Sequence, residues 1–412
     1  MKFRALSQIV PDPEAFVSAP PDRPQVWSMP PGPIVGLLGL TDFDRMLQQG
    51  IPASVLRVVR AGVNLPASEF TWGSRPIERP FADHVRPGAI GNLLRDGSTV
   101  VLDVLHRFWE PVGDFCRRLS YEVGLPASAT GFVTPANHTG FPFHHDEGGN
   151  LLVQTVGSKT WRLREPLADR PLSHETARAN KPTEAQWERI SQQPPALEVT
   201  LRPGDVLWIP RGWLHSGSAT DEPSVHVAVG FVPMLSRYWL AGQLVARLDE
   251  RRAEFAGLRD EVPWGMAQRP ELLTSVVADL IKELTAILPL LDSGDAAADI
   301  AKEIRKTFLE PPLTPVSAAL AGPADPDTAV VMVTESLFAV EGTGDGRVRL
   351  VQAAGALTVS GAAAQFVRTR WERDDQEPWC ARDLTPEVDE ATALGVVQAL
   401  LKAGIVRRLD RL

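Results

Sequence analysis

The sequence predicts an α+β protein built around a barrel or sandwich of short β-strands, followed by helices and then by a smaller mixed domain. Three observations predict it. Between about 130 and 235, short apolar runs rich in β-branched residues are punctuated by Gly and Pro. After Pro233 the apolar spacing becomes helical. Beyond Pro311-Pro312-Leu313-Thr314-Pro315, which reads as a linker, shorter strand-like and helix-like segments follow.

The 412 residues leave room for two or three domains and a sizeable core. A hydrophobic share of 44%, a charged share of 23% and a mean hydropathy of −0.08 are those of an ordinary globular chain. No apolar run approaches the ~18–20 residues that span a bilayer. The apolar stretch before Pro11 is too short for a signal peptide, so a cytoplasmic location is expected. Cys116 and Cys380 are far apart, which argues against a thiolate zinc site or a disulfide framework. With 42 Lys plus Arg against 51 Asp plus Glu, the net charge of −9 argues against broad nucleic-acid binding.

Residues 1 to about 35, with Pro20-Pro21 and Pro30-Pro31-Gly32-Pro33, read as an extended segment that wraps a domain surface. Thr99 to Leu102 reads as a strand. Leu105 to Leu125 carries apolar residues at helical spacing. Leu151–Val156 and Thr160–Leu163, around Gly157-Ser158-Lys159, read as a β-hairpin. Val199–Leu201 and Val206–Ile209, around Pro203-Gly204-Asp205, read as a second, and Val225–Val232 supplies another strand.

Helices are expected over 236–259 and 270–292. In the second, Leu273, Val277, Leu280, Leu284, Ile287 and Leu291 alternate at spacings of four and three, and Pro289 ends or kinks its last turn. That pattern fits a core helix and a dimerisation helix equally well. Ala329–Ser336 reads as a helix, Phe338–Val340 and Val348–Val351 flank a Gly-rich turn, and Gly361–Trp371 and Pro386–Lys402 read as helices. This last set suggests a winged-helix-like domain. Residues 311–412 hold 10 Lys plus Arg and 14 Asp plus Glu, so DNA binding gains no electrostatic support. The expected division is 1–235, 236–310 and 311–412.

Six of the eight histidines (His138, His144, His145, His174, His215 and His226) fall between 138 and 226. An even spread would put about 1.7 there. In Gly140-Phe141-Pro142-Phe143-His144-His145-Asp146, strand alternation puts His144 and Asp146 on one face and His145 on the other. Downstream, Gly204-Asp205-Val206-Leu207-Trp208-Ile209-Pro210-Arg211-Gly212-Trp213-Leu214 leads to His215 at the start of a strand. Across a barrel interior, His144, Asp146 and His215 form a candidate metal-ligand set. Two imidazoles and a carboxylate suit Fe(II) with open positions.

His-x-Asp alone is a weak signal that a surface pair also explains; the β-rich context and the downstream histidine strengthen it. His226 is a rival third ligand, but mid-strand among valines it reads rather as a satisfied core or supporting histidine, and His138 and His174 read as solvated. His145 points away from the metal or lines the channel. Lys159 shares strand parity with Trp161 and Leu163, so it faces inward if they do. An inward ammonium needs an anion, which a dicarboxylate would supply. Spacing alone favours a turn lysine in water. Trp208 and Trp213 fit the core or a supporting role at the pocket.

Together these segments resemble the cupin-fold JmjC-type 2-oxoglutarate oxygenases, specifically the ribosomal-oxygenase group of protein hydroxylases. The resemblance is carried by Thr134-Pro135, Gly140-x-Pro142-x-His144-x-Asp146, Leu151 to Leu163 with Gly157-x-Lys159-x-Trp161, and Gly204 to His215, with Leu94-x-x-Gly97-Ser98-Thr99 upstream. It is close over roughly 90–235. It implies a double-stranded β-helix barrel followed by a helical dimerisation region and a winged-helix domain. It also implies Fe(II) held by His144, Asp146 and His215, and 2-oxoglutarate as cosubstrate with Lys159 on its distal carboxylate. Thr130 stands where the family often places an Asn or Ser that hydrogen-bonds the cosubstrate. His145 departs from the Tyr common between the ligands, and Gly148-Gly149-Asn150 replace part of the usual acidic or bulky run.

The activity this implies is O₂-dependent hydroxylation of an amino-acid side chain in a protein, with a ribosomal protein as first candidate and a homodimer as the assembly. A basic peptide suits the negative net charge. The alternatives are a hydroxylase of a peptide natural product or small molecule, and a non-catalytic metal-binding cupin with a regulatory winged-helix domain.

Overall fold

The structure, a computed structural model, describes every residue except 1–2, 31–33, 74–81, 179, 232–235, 248–268, 270, 309–319, 321, 338, 345, 353–354, 374–375, 387 and 410–412. Its contacts divide the chain into two units, residues 1–233 with 308–412, and residues 234–307.

In the first unit the strands are β1 (Gln25–Ser28), β2 (Leu56–Arg60), β3 (Val63–Asn64), β4 (Thr99–Leu102), β5 (Ala127–Thr134), β6 (Asn150–Val156), β7 (Lys159–Arg164), β8 (Leu197–Leu201), β9 (Asp205–Ile209), β10 (Leu214–Ala219) and β11 (Ser224–Phe231). An eight-stranded antiparallel sheet has the order β1-β9-β6-β11-β5-β4-β2-β3, and a second sheet has the order β10-β7-β8. Leu152, Leu207 and Ile209 of the large sheet pack on Trp161, Leu163 and Leu201 of the small one, making the seam between them. A larger cluster covers the outer face of the large sheet, where Val112, Phe115, Cys116 and Leu119 of helix Glu110–Val123 are buried at the predicted spacing.

The chain switches sheets where the sequence suggested hairpins. β6 pairs with β11 and β9, whereas β7 pairs with β10 and β8. The segments around Gly157 are therefore not partners, and neither are those around Gly204. Gly157 (φ 60°) turns a corner packed on the β10–β11 loop, where a Cβ would lie 1.9 Å from the Pro223 carbonyl oxygen. Ser158 there meets the Thr220 hydroxyl at 2.6 Å. Gly204 (φ 96°) makes the second corner, its N–H donating to the Gln154 carbonyl at 3.1 Å. A turn signal reports that the chain reverses; tertiary contacts outside the turn decide which sheet it enters.

The leading segment is only partly the expected extended wrap: Pro13–Ser18 is a helix, and Leu6, Ile9 and Phe16 enter the core. β1 adds to the edge at β9, and the Trp208 and Trp213 indole N–H groups donate to the carbonyls of Pro21 and Asp22. The Glu122 carboxylate accepts from the backbone N–H groups of Arg4, Ala5 and Leu6.

Toward the C-terminus, β12 (Val330–Met332) pairs with β16 (Val406–Arg408), and β13 (Ala339–Gly342), β14 (Arg347–Gln352) and β15 (Gly355–Ser360) form a meander. Helices Gly361–Arg373 and Glu390–Lys402 pack against these strands around Val367, Trp379, Val397 and Leu400. Ala329–Ser336 is not the expected helix. Val330 to Met332 are all buried in a strand, and only Thr334–Ser336 makes a 3₁₀ turn. A short, fully buried apolar run has no period to distinguish the two.

The second unit holds helices Arg237–Ala246, Leu272–Ile287 and Ser293–Arg305. Pro289 falls in a 3₁₀ turn that ends the middle helix, as expected. Val277, Leu280 and Ile281 of that helix are exposed in the single chain. Part of the first expected helix, 248–259, and the linker 311–315 lie outside the described residues. No helix among the described residues is long and apolar enough to cross a membrane.

Candidate metal centre

His144 and His215 are brought together by the backbone before their side chains meet. The His215 N–H donates to the His144 carbonyl at 2.8 Å and the His144 N–H to the His215 carbonyl at 3.2 Å. One ligand atom from each of His144, Asp146 and His215 lies within 4.8 Å of the others. His215 Nε2 is 3.6 Å from Asp146 Oδ2.

Each imidazole is oriented by a carbonyl two residues earlier. His144 Nδ1 is 2.9 Å from the Pro142 oxygen and His215 Nδ1 is 3.0 Å from the Trp213 oxygen. A carbonyl can only accept, so both protons sit on Nδ1 and both Nε2 lone pairs are free to bind a metal. Burial first, and the neighbouring His215 second, push His144 down to about 4, which keeps it neutral at physiological pH. Asp146 Oδ2 accepts from Asn150 Nδ2 at 2.6 Å, and Asn150 fits because Gly230 opposite it has no side chain. No thiol is among these groups, so the donor set fits Fe(II) with open positions.

A cavity of about 570 Å³ opens beside the three residues, between the sheets. Thr130, Lys159, Trp161 and His226 line it along with the ligand set. Lys159 is 3% exposed, so the turn-in-water alternative does not hold. Its parity with Trp161 and Leu163 turns all three inward. Its Nζ donates to Thr134 Oγ1 at 3.2 Å and lies 5.1 Å from the Trp161 ring centroid. Burial pushes this amine down to about 7. Gly217 makes room for it, since a Cβ there would meet Lys159 Cε at 2.8 Å and the indole at 2.9 Å. Thr130, half-buried on β5, faces the same space.

The other histidines separate cleanly. His138 is exposed, and His174 is exposed on a short helix, Ser173–Arg178. His145 is buried, off the cavity wall, and its N–H donates to the Asn180 carbonyl. His226 departs from the expected satisfied histidine. It is 1% exposed, stacked on Phe132 at 4.5 Å, and its Nδ1 is buried without a hydrogen-bond partner. The pairing of β11 with β5, strands about ninety residues apart in the chain, sets Phe132 beside His226, so no local pattern could have revealed this. Trp208 and Trp213 belong to the core.

Described residues of the segment between β7 and β8 are held against β7 by Arg164. Arg164 Nη1 donates to the carbonyls of Ile190 and Gln193, and its guanidinium lies 5.4 Å and 5.6 Å from the rings of Phe143 and Trp187. Asn180 and Lys181 from this segment reach the cavity wall.

The chain is similar to known proteins in sequence and in fold. The family described as "JmjC domain" matches residues 109–237. The chain is 28% identical over 302 residues to ribosomal oxygenase 1 of Gallus gallus, covering 69% of this chain and 46% of that protein. It is 30% identical over 194 residues to the Culex quinquefasciatus protein named bifunctional lysine-specific demethylase and histidyl-hydroxylase NO66, covering 45% of this chain and 29% of that one. The chain thus spans about half or less of the length of these relatives. The solved structure of E. coli ycfD aligns over 97% of this chain and 99% of that one, with a TM-score of 0.53 and 16% identity, a likeness of fold.

Proposed function

We propose that the protein, whose residues 109–237 match the JmjC domain family and which is similar to the ribosomal oxygenases, is an Fe(II)- and 2-oxoglutarate-dependent hydroxylase of a protein side chain. The observation that carries the reading is the convergence of His144, Asp146 and His215 on one cavity with a buried lysine in its wall. His144, Asp146 and His215 would hold the metal. When bound, Fe(II) and 2-oxoglutarate supply the activation of O₂ that oxidises a C–H bond. Lys159 neutralises the distal carboxylate of the cosubstrate, and Thr130 hydrogen-bonds it. Asn150 fixes the Asp146 carboxylate, and Trp161 and Phe132 keep that end of the cavity dry.

A ribosomal protein is the first candidate substrate, in keeping with the names of the relatives and with the acidity of this chain. The same proposal takes 1–235 as the catalytic domain with its N-terminal extension, 236–310 as a dimerisation region and 311–412 as a winged-helix-like domain, in a cytoplasmic homodimer. The exposed Val277, Leu280 and Ile281 support the dimer, and the helices and three-stranded meander support the C-terminal assignment.

Incubation with Fe(II), ascorbate, 2-oxoglutarate and ribosomal-protein peptides tests this. Succinate should form with a one-oxygen mass gain on a peptide, and His144→Ala and Lys159→Ala should abolish both. No succinate above background with any peptide pool, together with unchanged 2-oxoglutarate binding in those variants, would sink the reading.

A further inference from the structure

One side chain in the cavity wall is left unused by that reading, and the inference about it rests on the cavity holding a 2-oxo dicarboxylate. His226 lines the cavity, yet neither ring nitrogen has a hydrogen-bond partner among the described residues, and Nδ1 is fully buried. Its ring lies flat on Phe132 (8° between planes) and edge-on to Trp161 at 5.3 Å. An apolar ring could make both contacts without burying an unpaired nitrogen, so packing alone does not account for an imidazole there.

The lysine head is its neighbour. Lys159 Nζ and the His226 ring flank the same indole. On β5, Thr134 bonds Nζ and Phe132 stacks on the imidazole, two residues apart on one face, so the amine and the imidazole stand at the same end of the cavity. The Trp161 Nε1 is also buried without a partner, so the end of the cavity around Lys159 holds more donors than acceptors. His226 is outside the His144, Asp146, His215 cluster, so a metal does not explain it.

We propose that His226 is a binding residue for the distal carboxylate, its imidazole N–H donating to the oxygen that Lys159 does not hold, so that the cavity distinguishes dicarboxylate from monocarboxylate 2-oxo acids with two side chains. The ring stays neutral, and the Lys159 ammonium supplies the charge.

The test is calorimetric titration of the full chain loaded with Mn(II), without turnover, using 2-oxoglutarate and 2-oxopentanoate, which has the same carbon chain without the distal carboxylate. Wild type should prefer 2-oxoglutarate. His226→Phe should lose about tenfold or more in affinity for 2-oxoglutarate, the effect of one hydrogen bond to a charged group, with 2-oxopentanoate unchanged. His226→Gln, which keeps an N–H donor, should recover part of the preference. If Phe prevents folding, His226→Leu removes the same donor with less volume. Equal weakening of both acids, or no change in either, overturns the role of His226 while leaving the site reading intact. A wild-type protein that binds both acids equally overturns the dicarboxylate reading, and this inference with it.

Discussion

Replacing Lys159 with methionine should make the unliganded protein more stable. The stem keeps its volume against Trp161 and Gly217, and only the ammonium is lost. Burial takes this amine from its ordinary 10.5 to about 7, which corresponds to roughly 5 kcal/mol of disfavoured charge as an upper bound. Water in the cavity reduces that, and exchanges of buried charges for apolar groups commonly gain about 1–4 kcal/mol. The sign follows from proton counting. Below about pH 7 the amine is charged in both folded and unfolded chains and the whole cost is present. As pH rises from about 7 toward 10.5, the folded chain sheds the proton and the unfolded chain keeps it, so stability from this group climbs. Urea unfolding of metal-free protein at pH 6.5 and 9 should therefore show Lys159→Met more stable than wild type at pH 6.5, with the gap narrowing at pH 9. Saturating 2-oxoglutarate with Mn(II) should stabilise wild type, by about 2.7 kcal/mol at one hundred times Kd, and the variant far less. A variant less stable than wild type at pH 6.5, or a gap that widens with pH, would refute the argument.

Asn150→Ala frees Asp146 Oδ2 and should weaken metal affinity about 10–100-fold with little change in unfolding temperature, read by competition with a chelating dye. Gly217→Ala puts a methyl group into Lys159 and Trp161 and should cost about 1–3 kcal/mol in urea unfolding while lowering cosubstrate affinity. Arg164→Ala removes the clamp on Ile190, Gln193 and Trp187, and should speed amide exchange across 184–193 without altering exchange in β5 or β11.

What the sequence made legible was local. The common face of His144 and Asp146, the inward parity of Lys159 and the buried stripe of helix Glu110–Val123 all follow from the period of a strand or helix. Features requiring two distant segments were not legible. The corner at Gly157 depends on Pro223 packing outside it, and the pattern of Val330 to Met332 needed β16 as partner before it could be a strand. His226 looked satisfied because a histidine among valines gives no hint of which rings close over it. The resemblance to a known family reached the ligand set and Lys159 but not His226, whose role depends on the walls of this particular barrel.

The reciprocal backbone bonds between His144 and His215 make the metal site a gauge of barrel closure. Because each ligand's main chain is tied to the other's, the two imidazoles acquire their spacing when the His144 segment pairs against β10, an edge of the three-stranded sheet. A slip of one residue in that pairing would turn His145 toward the cavity in place of His144 and remove a ligand without any mutation. Metal uptake during refolding would then report when this pairing finds its register, and a chain that binds metal weakly despite an intact sequence would be one whose His144 segment paired out of step.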